Sequence, residues 1–344
     1  FNASKEILDV IDNASKDDIF IVVISGGSSA LMSYPIEGIS LQDEIDTTDV
    51  LLKSGANIIE INAIRRHISQ INGGRLAQRI EKVGAKLIGL AISDSIDTPA
   101  TTDISIPYLN YQGTAIGPDQ TTINDARRVI HNYNLTNRLP KNVVNYIMNC
   151  DSEAETPKAF SNNTYFLLNS LPDSISYAKE IIEDLGLPFM ILTTFLEGES
   201  KEAGTILASI AREIQTYARP IAPPCIILCA GETTTKIANN SDIKGHGGPS
   251  QELAVSFAIG ASKIPGACIL SIDSEGTDGT SIVAGGITDS QTYKLACEKD
   301  VDLFDALRGH SCYEALDILG DTVFTGNTGT NLCDFNIVYI PSLD

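Results

Sequence analysis

The sequence has no apolar run approaching the roughly 20 residues that span a bilayer, and no secretory hydrophobic segment. A membrane protein is therefore not expected. Cations are scarce: 24 lysines and arginines stand against 44 aspartates and glutamates, for a formal charge of −20. Nucleic-acid binders carry basic surfaces, so a nucleic-acid partner is excluded on charge. The seven cysteines are odd in number and scattered, and the closest two, Cys225 and Cys229, share an apolar run that reads as a strand. Buried thiols in a reducing, cytoplasmic compartment are expected, not disulfides or a metal. There is no internal repeat, no Gly-x-Ser-x-Gly elbow, no Walker loop and no GxGxxG fingerprint, which removes the usual signals of a hydrolase triad or a dinucleotide site.

What is present is an ordinary globular composition, 43% hydrophobic and 20% charged, over 344 residues. That length exceeds one typical core, so two domains are expected, divided near residues 151–163 into 1–160 and 161–344. The chain opens on Phe1, and a preceding segment is expected. Residues 19–25 form a continuous β-branched run ending in a glycine turn, and 86–92 read as another strand, with Ser93-Asp94 at its C-terminal end. Between them the pattern predicts helices over 43–54, 58–70 and 75–82. This strand–loop–helix alternation predicts an α/β fold with a parallel sheet. The last third repeats the grammar, with strands at 226–229, 267–272 and 337–340.

Four constellations can carry chemistry. Ser25, Gly26, Gly27, Ser28 and Ser29 follow the first strand, where glycine lets the backbone approach an anion and a helix start offers free N–H groups. Arg65, Arg66 and His67, with Arg75 and Arg79, put four arginines and a histidine within 15 residues of a cation-poor chain. Such crowding calls for nearby negative charge, either acidic surface or a ligand carboxylate or phosphate held bidentately. Asp94 and Asp97 lie at the carboxyl end of the second strand, where open α/β sheets place their ligands. An aspartate there can take a hydroxyl proton or bind a cation.

The fourth set is the run of glycine loops in the last third: Gly231, Glu232, Thr233 and Thr234; Gly247 to Glu252; Gly276, Thr277, Asp278 and Gly279; and Gly326, Thr328, Gly329, Thr330 and Asn331. Converging on one rim, they would make an amide- and hydroxyl-rich pocket, with Asp273 or Asp278 able to hold a metal. His131, His246 and His310 have no partners at ligand spacing and read as ordinary.

On these residues the chain resembles the ATP-dependent glycerate 2-kinases with a C-terminal MOFRL domain. The matching stretches run in family order from Ile24–Leu31 and Gly55–Asn62 through Arg65–Ser69, Gly73–Ala77 and Ser93-Asp94 to Gly117–Asp119, Glu155–Lys158, Gly231–Thr234, Gly276–Gly279 and Thr325–Asn331. The resemblance implies a Rossmann-like N-terminal domain and a MOFRL α/β domain, with the active site in the cleft between them. It implies transfer of the ATP γ-phosphoryl group to the 2-hydroxyl of D-glycerate with Mg²⁺, on a soluble, cytoplasmic protein with no nucleic-acid or membrane partner, for which a homodimer is one option. Some relatives carry the older name hydroxypyruvate reductase, and a non-catalytic metabolite binder is the other alternative. The family's N-terminal lysine turn lies outside this chain. Ser28, Asp97 and Pro249 depart from the residues many relatives carry, which leaves the charge-stabilising group open. The resulting expectation gives Asp94 and Arg65 catalytic roles. Residues 25–29, Arg66 and His67 bind substrate or phosphate, and the C-terminal loops take the nucleotide.

Overall fold

The computed structural model describes residues 1–93, 114–237 and 243–343. By internal packing the described chain divides into two units, one over 1–91 and 114–168, the other over 92–93, 169–237 and 243–343.

The first unit opens with helix α1 (Asn2–Asp12), which buries Ser4, Leu8 and Ile11 along one face. Strand β1 (Ile19–Ile24) follows, then a single helical turn, α2 (Ser28–Leu31), entered through Gly27 at φ +77°. Helices α3 (Leu41–Leu52) and α4 (Ile58–His67) each begin in a capping box, Ser40 with Asp43 and Asn57 with Glu60, which satisfies the first free amides. Helix α5 (Arg75–Lys82) starts at Gly74, where φ is +79° and a Cβ would fall 2.6 Å from the Gly117 carbonyl oxygen, so glycine is required. Strand β2 (Lys86–Ile92) comes next, then α6 (Ile123–Asn132), α7 (Lys141–Asn149) and β3 (Asn163–Asn169).

The strands form one sheet in the order β1-β2-β3, with β1 and β2 parallel from Ile19 opposite Lys86 to Ile24 opposite Ala91. One face packs on α1 and α5 through Leu8, Ile11, Leu76, Ile80 and Leu87. A second core joins α3, α4, α6 and α7 around Leu51, Ile64, Ile130 and Val143. The other sheet face leaves Ile19, Ile21, Val23, Phe166 and Leu168 at the surface.

The second unit contains α8 (Leu171–Asp184), β4 (Phe189–Leu196), α9 (Ser200–Tyr217), β5 (Cys225–Gly231), α10 (Pro249–Ala261), β6 (Cys268–Asp273), β7 (Gly285–Asp289), α11 (Thr292–Glu298), α12 (Leu303–Arg308), α13 (Cys312–Leu319), β8 (Thr322–Val323) and β9 (Asp334–Ile340). Its six-stranded sheet runs β4-β5-β9-β6-β7-β8. The parallel grammar expected for this part does not hold: β4 and β5 are parallel, but β9 lies antiparallel between β5 and β6, and β7 is antiparallel to both β6 and β8. The connection from β6 to β7 contains no helix, so it reverses the chain instead of carrying a parallel crossover. Helix α10 is buried on almost every side, packing Leu253, Ala254 and Phe257 against α9 and the sheet. Cys225, Cys229, Cys312 and Cys333 are buried, as expected, while Cys297 is exposed. Burial pushes the Cys229 thiol up to about 12.

Candidate active site

Helix α4 fixes the first unit's cations. Asn62, Arg65 and Arg66 stand at i, i+3 and i+4 and so share a face. They line a small cavity with Ser29, Glu44 and Asn72. Its volume is about 30 Å³, room for roughly two waters or the carboxylate of a small acid.

The four arginines are engaged differently. Arg66 donates Nη1 to Asp119 Oδ1 at 3.0 Å, a pair in which the aspartate is fully buried. Arg75 donates Nη2 to the Ala154 carbonyl at 2.6 Å, and burial lowers its pKa. Arg79 pairs with Asp12 near the surface. Arg65 has one long contact, Nη1 to Asn62 Oδ1 at 3.4 Å, while its buried Nε has no hydrogen-bond partner among the described residues. A buried charged donor left unpartnered costs free energy unless a ligand completes it. Arg65 is thus the cavity's uncommitted cation.

The other walls are held rigidly. Asn72 donates Nδ2 to the Ser29 and Met32 carbonyls, both at 3.1 Å, and leaves its buried Oδ1 without a partner among the described residues. Ser69 Oγ accepts from the Ile71 and Asn72 amides and fixes that turn. Glu44, in the first turn of α3, accepts the Ser33 hydroxyl through Oε2.

His67 does not reach the cavity. It is fully buried, and its ring nitrogens engage the Ala63 carbonyl at 2.7 Å and Glu155 at 2.9 Å. Burial alone would raise the Glu155 pKa, but hydrogen bonds from Lys158, His67 and the Ile123 amide outweigh it and hold the carboxyl at about 2. Thr156 links this group to Asp119, so a continuous polar network braces α4 from behind. Of residues 25–29, Ser29 lines the cavity and Ser25 to Ser28 do not. The α2 turn is too short to offer a sustained helix start. Asp94 and Asp97 lie outside the described residues. The sequence reading missed Glu44 and Asn72 and gave Asn62 no role. The spacing of Asn62 ahead of Arg65 and Arg66 was the available signal for the last.

In the second unit the glycine loops gather at one end of the sheet, where β5 and β6 finish and β9 begins. Gly231 and Asp273 both lie opposite Asp334. The 276 and 326 loops interlock: Gly276 has φ +89°, and a Cβ there would fall 1.9 Å from the Gly326 carbonyl oxygen. Thr328 Oγ1 donates to the Ser274 carbonyl, and Asn331 donates to Glu275. Thr233 is buried and accepts the Ser200 hydroxyl at 3.0 Å, and the Thr234 amide donates to the Gly198 carbonyl.

Asp278 is committed to the fold. Its carboxylate accepts the Ser250 and Gln251 amides at the start of α10, and the Gln251 side chain. Burial pushes Asp278 and Asp273 up to about 6. Asp334, absent from the sequence reading, rises to about 8 through burial and the nearby charges of Asp273, Asp278 and Glu232. His310 and His246 are less ordinary than expected, since each Nδ1 meets a carboxylate at 2.8 Å, Glu252 and Glu314 respectively.

The first unit therefore holds a small cavity with an uncommitted guanidinium. The second holds ordered glycine loops around carboxylates, Asp273 and Asp334, that have no ion pair among the described residues. These define a two-unit α/β protein with one cationic and one acidic candidate site. Residues 1–148 match the family model described as a domain of unknown function, DUF4147, and residues 225–334 match the MOFRL family. A glycerate 2-kinase of Pyrococcus horikoshii is 39% identical over 98% of this chain and 74% of its own length. A D-glycerate 2-kinase of Thermotoga maritima is 35% identical over 97% and 75%. The crystal structure of a glycerate kinase from Thermotoga maritima superposes with a TM-score of 0.81 at 34% identity, covering 98% of this chain and 77% of that one. The chain belongs to the glycerate kinase family with a MOFRL domain. No helix among the described residues is long and apolar enough to cross a membrane.

Proposed function

We propose that this protein is a glycerate 2-kinase, transferring the γ-phosphoryl group of ATP to the 2-hydroxyl of D-glycerate. The observation that carries this reading is the Arg65 guanidinium, free of any ion pair and with its buried Nε without a partner among the described residues, in a cavity of carboxylate size on a chain otherwise dominated by acids. Arg65 binds the glycerate carboxylate, and Ser29, Asn62 and Asn72 orient the acid by hydrogen bonds. Asp94 is assigned the 2-hydroxyl on sequence grounds. The hydroxyl oxygen forms its bond to the γ-phosphorus as the bond from that phosphorus to the ADP oxygen breaks, and the hydroxyl proton passes to Asp94. Catalysis of this kind rests on positioning and charge neutralisation.

The loops at Gly231–Thr234, Gly276-Thr277 and Gly326–Asn331 are assigned the nucleotide phosphates. Magnesium would be held by Asp273 and Asp334. These oxygen donors suit Mg²⁺, which commonly uses one or two carboxylates together with substrate phosphates. They are cross-strand neighbours with raised pKa values, a repulsion that a divalent cation relieves. When bound, Mg²⁺ supplies neutralisation of phosphate charge. Asp278, engaged at the start of α10, is the weaker candidate ligand.

The test is turnover of D-glycerate with ATP and Mg²⁺ by the purified protein, with identification of the phosphoglycerate isomer. Magnesium-dependent 2-phosphoglycerate is the expected product. NADH oxidation on hydroxypyruvate without any phosphorylated product would overturn the reading.

A further inference from the structure

The Arg65 cavity contains a feature that carboxylate binding does not explain. Glu44 lines it beside Arg65 and is only 9% exposed, yet no ion pair joins the two among the described residues. One Glu44 oxygen accepts from Ser33, and the other has no hydrogen bond among the described residues. Arg66 is neutralised by Asp119. The charges facing a ligand are therefore one positive, Arg65, and one negative, Glu44.

We propose that Glu44 is the specificity-determining residue of this cavity: it accepts a hydrogen bond from the acid's non-reacting hydroxyl and excludes a second negative charge. The proposal deepens the hydroxy-acid reading given above and rests on it. A monocarboxylate with a terminal hydroxymethyl group satisfies both ends, its carboxylate on Arg65 and its hydroxyl on Glu44. A dicarboxylate of the same size sets like charges together in a partly desolvated space, where repulsion is stronger than in water. An acid with a methyl group there leaves the Glu44 oxygen without a donor, which a site built to bond a hydroxyl rejects. Ser33 donates its hydroxyl to Glu44 and holds that side chain in place.

Calorimetric titration of D-glycerate, D-lactate and tartronate onto the protein, its Glu44→Gln variant and its Ser33→Ala variant tests this, alongside steady-state kinetics. The original protein is expected to bind D-glycerate at least about tenfold more tightly than either analogue, since tenfold corresponds to one lost hydrogen bond of ordinary strength. Glu44→Gln is expected to weaken D-glycerate by about tenfold and tighten tartronate, because the amide can donate to a second carboxylate. The kinetic effect is expected to fall on KM more than on kcat. Ser33→Ala is expected to keep the preference for D-glycerate over tartronate, which separates recognition from a merely structural role of Glu44.

An unchanged glycerate-to-tartronate ratio in Glu44→Gln overturns the proposal and leaves the kinase reading standing. A loss of kcat with unchanged D-glycerate affinity also overturns it, since Glu44 would then act on the reacting hydroxyl. Failure of the original protein to bind D-glycerate at all removes the hydroxy-acid reading, and this inference with it.

Discussion

The two units present opposite electrostatic problems. In the first, Arg65 is a half-buried cation, its Nε buried, with no carboxylate paired to it among the described residues, while Arg66 and Arg79, close by in sequence, are paired with Asp119 and Asp12. In the second, Asp273 is half-buried and Asp334 buried, with no cation paired to either among the described residues, and their pKa values rise to about 6 and 8. Stability alone disfavours both arrangements, because an uncompensated buried charge is costly. On the reading proposed above, the difference separates the ligand charges: an anion would complete the first site and a cation the second. In a chain of net charge −20 the second arrangement arises readily, whereas the first requires that one guanidinium be kept clear of many available acids.

The comparison breaks most visibly at Arg65. Arg65→Ala is expected to lower kcat/KM for D-glycerate by about 100-fold with the thermal midpoint almost unchanged, as for loss of a charge-assisted, bidentate contact. Arg65→Lys is expected to recover only part of this, since the ammonium lacks the planar fork. Unchanged kinetics in Arg65→Ala would place the anion elsewhere. His67→Ala should do the reverse. It empties a fully buried position and strips Glu155 of a partner, so a loss of about 2–4 kcal/mol in denaturant unfolding is expected. The variant's KM for D-glycerate should stay within about twofold, and a selective KM effect would return His67 to the ligand.

In the second unit, Asp334→Asn sharpens the contrast through pH. A carboxyl whose folded pKa is raised keeps its proton in the folded chain after the unfolded chain has lost it. Its effect therefore destabilises the fold increasingly as pH rises from about 3.8 toward about 8, and fully above that. Asp334→Asn should raise the thermal midpoint by roughly 5 °C at pH 9 in chelator-treated buffer, with the gain shrinking as pH falls toward 4. An equal gain at both pH values would mean that charge is not the cause. Without chelator, Mg²⁺ should raise the midpoint of the original protein and shift that of Asp334→Asn less. Arg79→Ala should have the smallest effect, about 0.5–1 kcal/mol of stability and none on ligand affinity, because its pair with Asp12 is partly exposed.

Much of the fold was legible because it is written in local patterns. The β-branched run at Ile19–Ile24 and the apolar run at Lys86–Ile92 act over a few residues and mark strands where they stand. Strand direction in the second sheet was not legible, because β9 joins β5 and β6 from a distant part of the sequence. The site divided in the same way. Asn62, Arg65 and Arg66 share a face by helical period alone, but Glu44 and Asn72 reach them from other segments, and Asp334 meets Asp273 only through strand pairing.

By itself, then, the sequence determined the elements, the scarcity of cations and their crowding at residues 65–79. Only the tertiary structure decided which of those arginines stays uncommitted. Arg66 finds its acceptor 53 residues away, Arg79 finds one 67 away and Arg75 one 79 away. Such partners are chosen by how the chain crosses itself, since a side chain's charge is set by its identity but its pairing by whatever packing brings within about 3 Å.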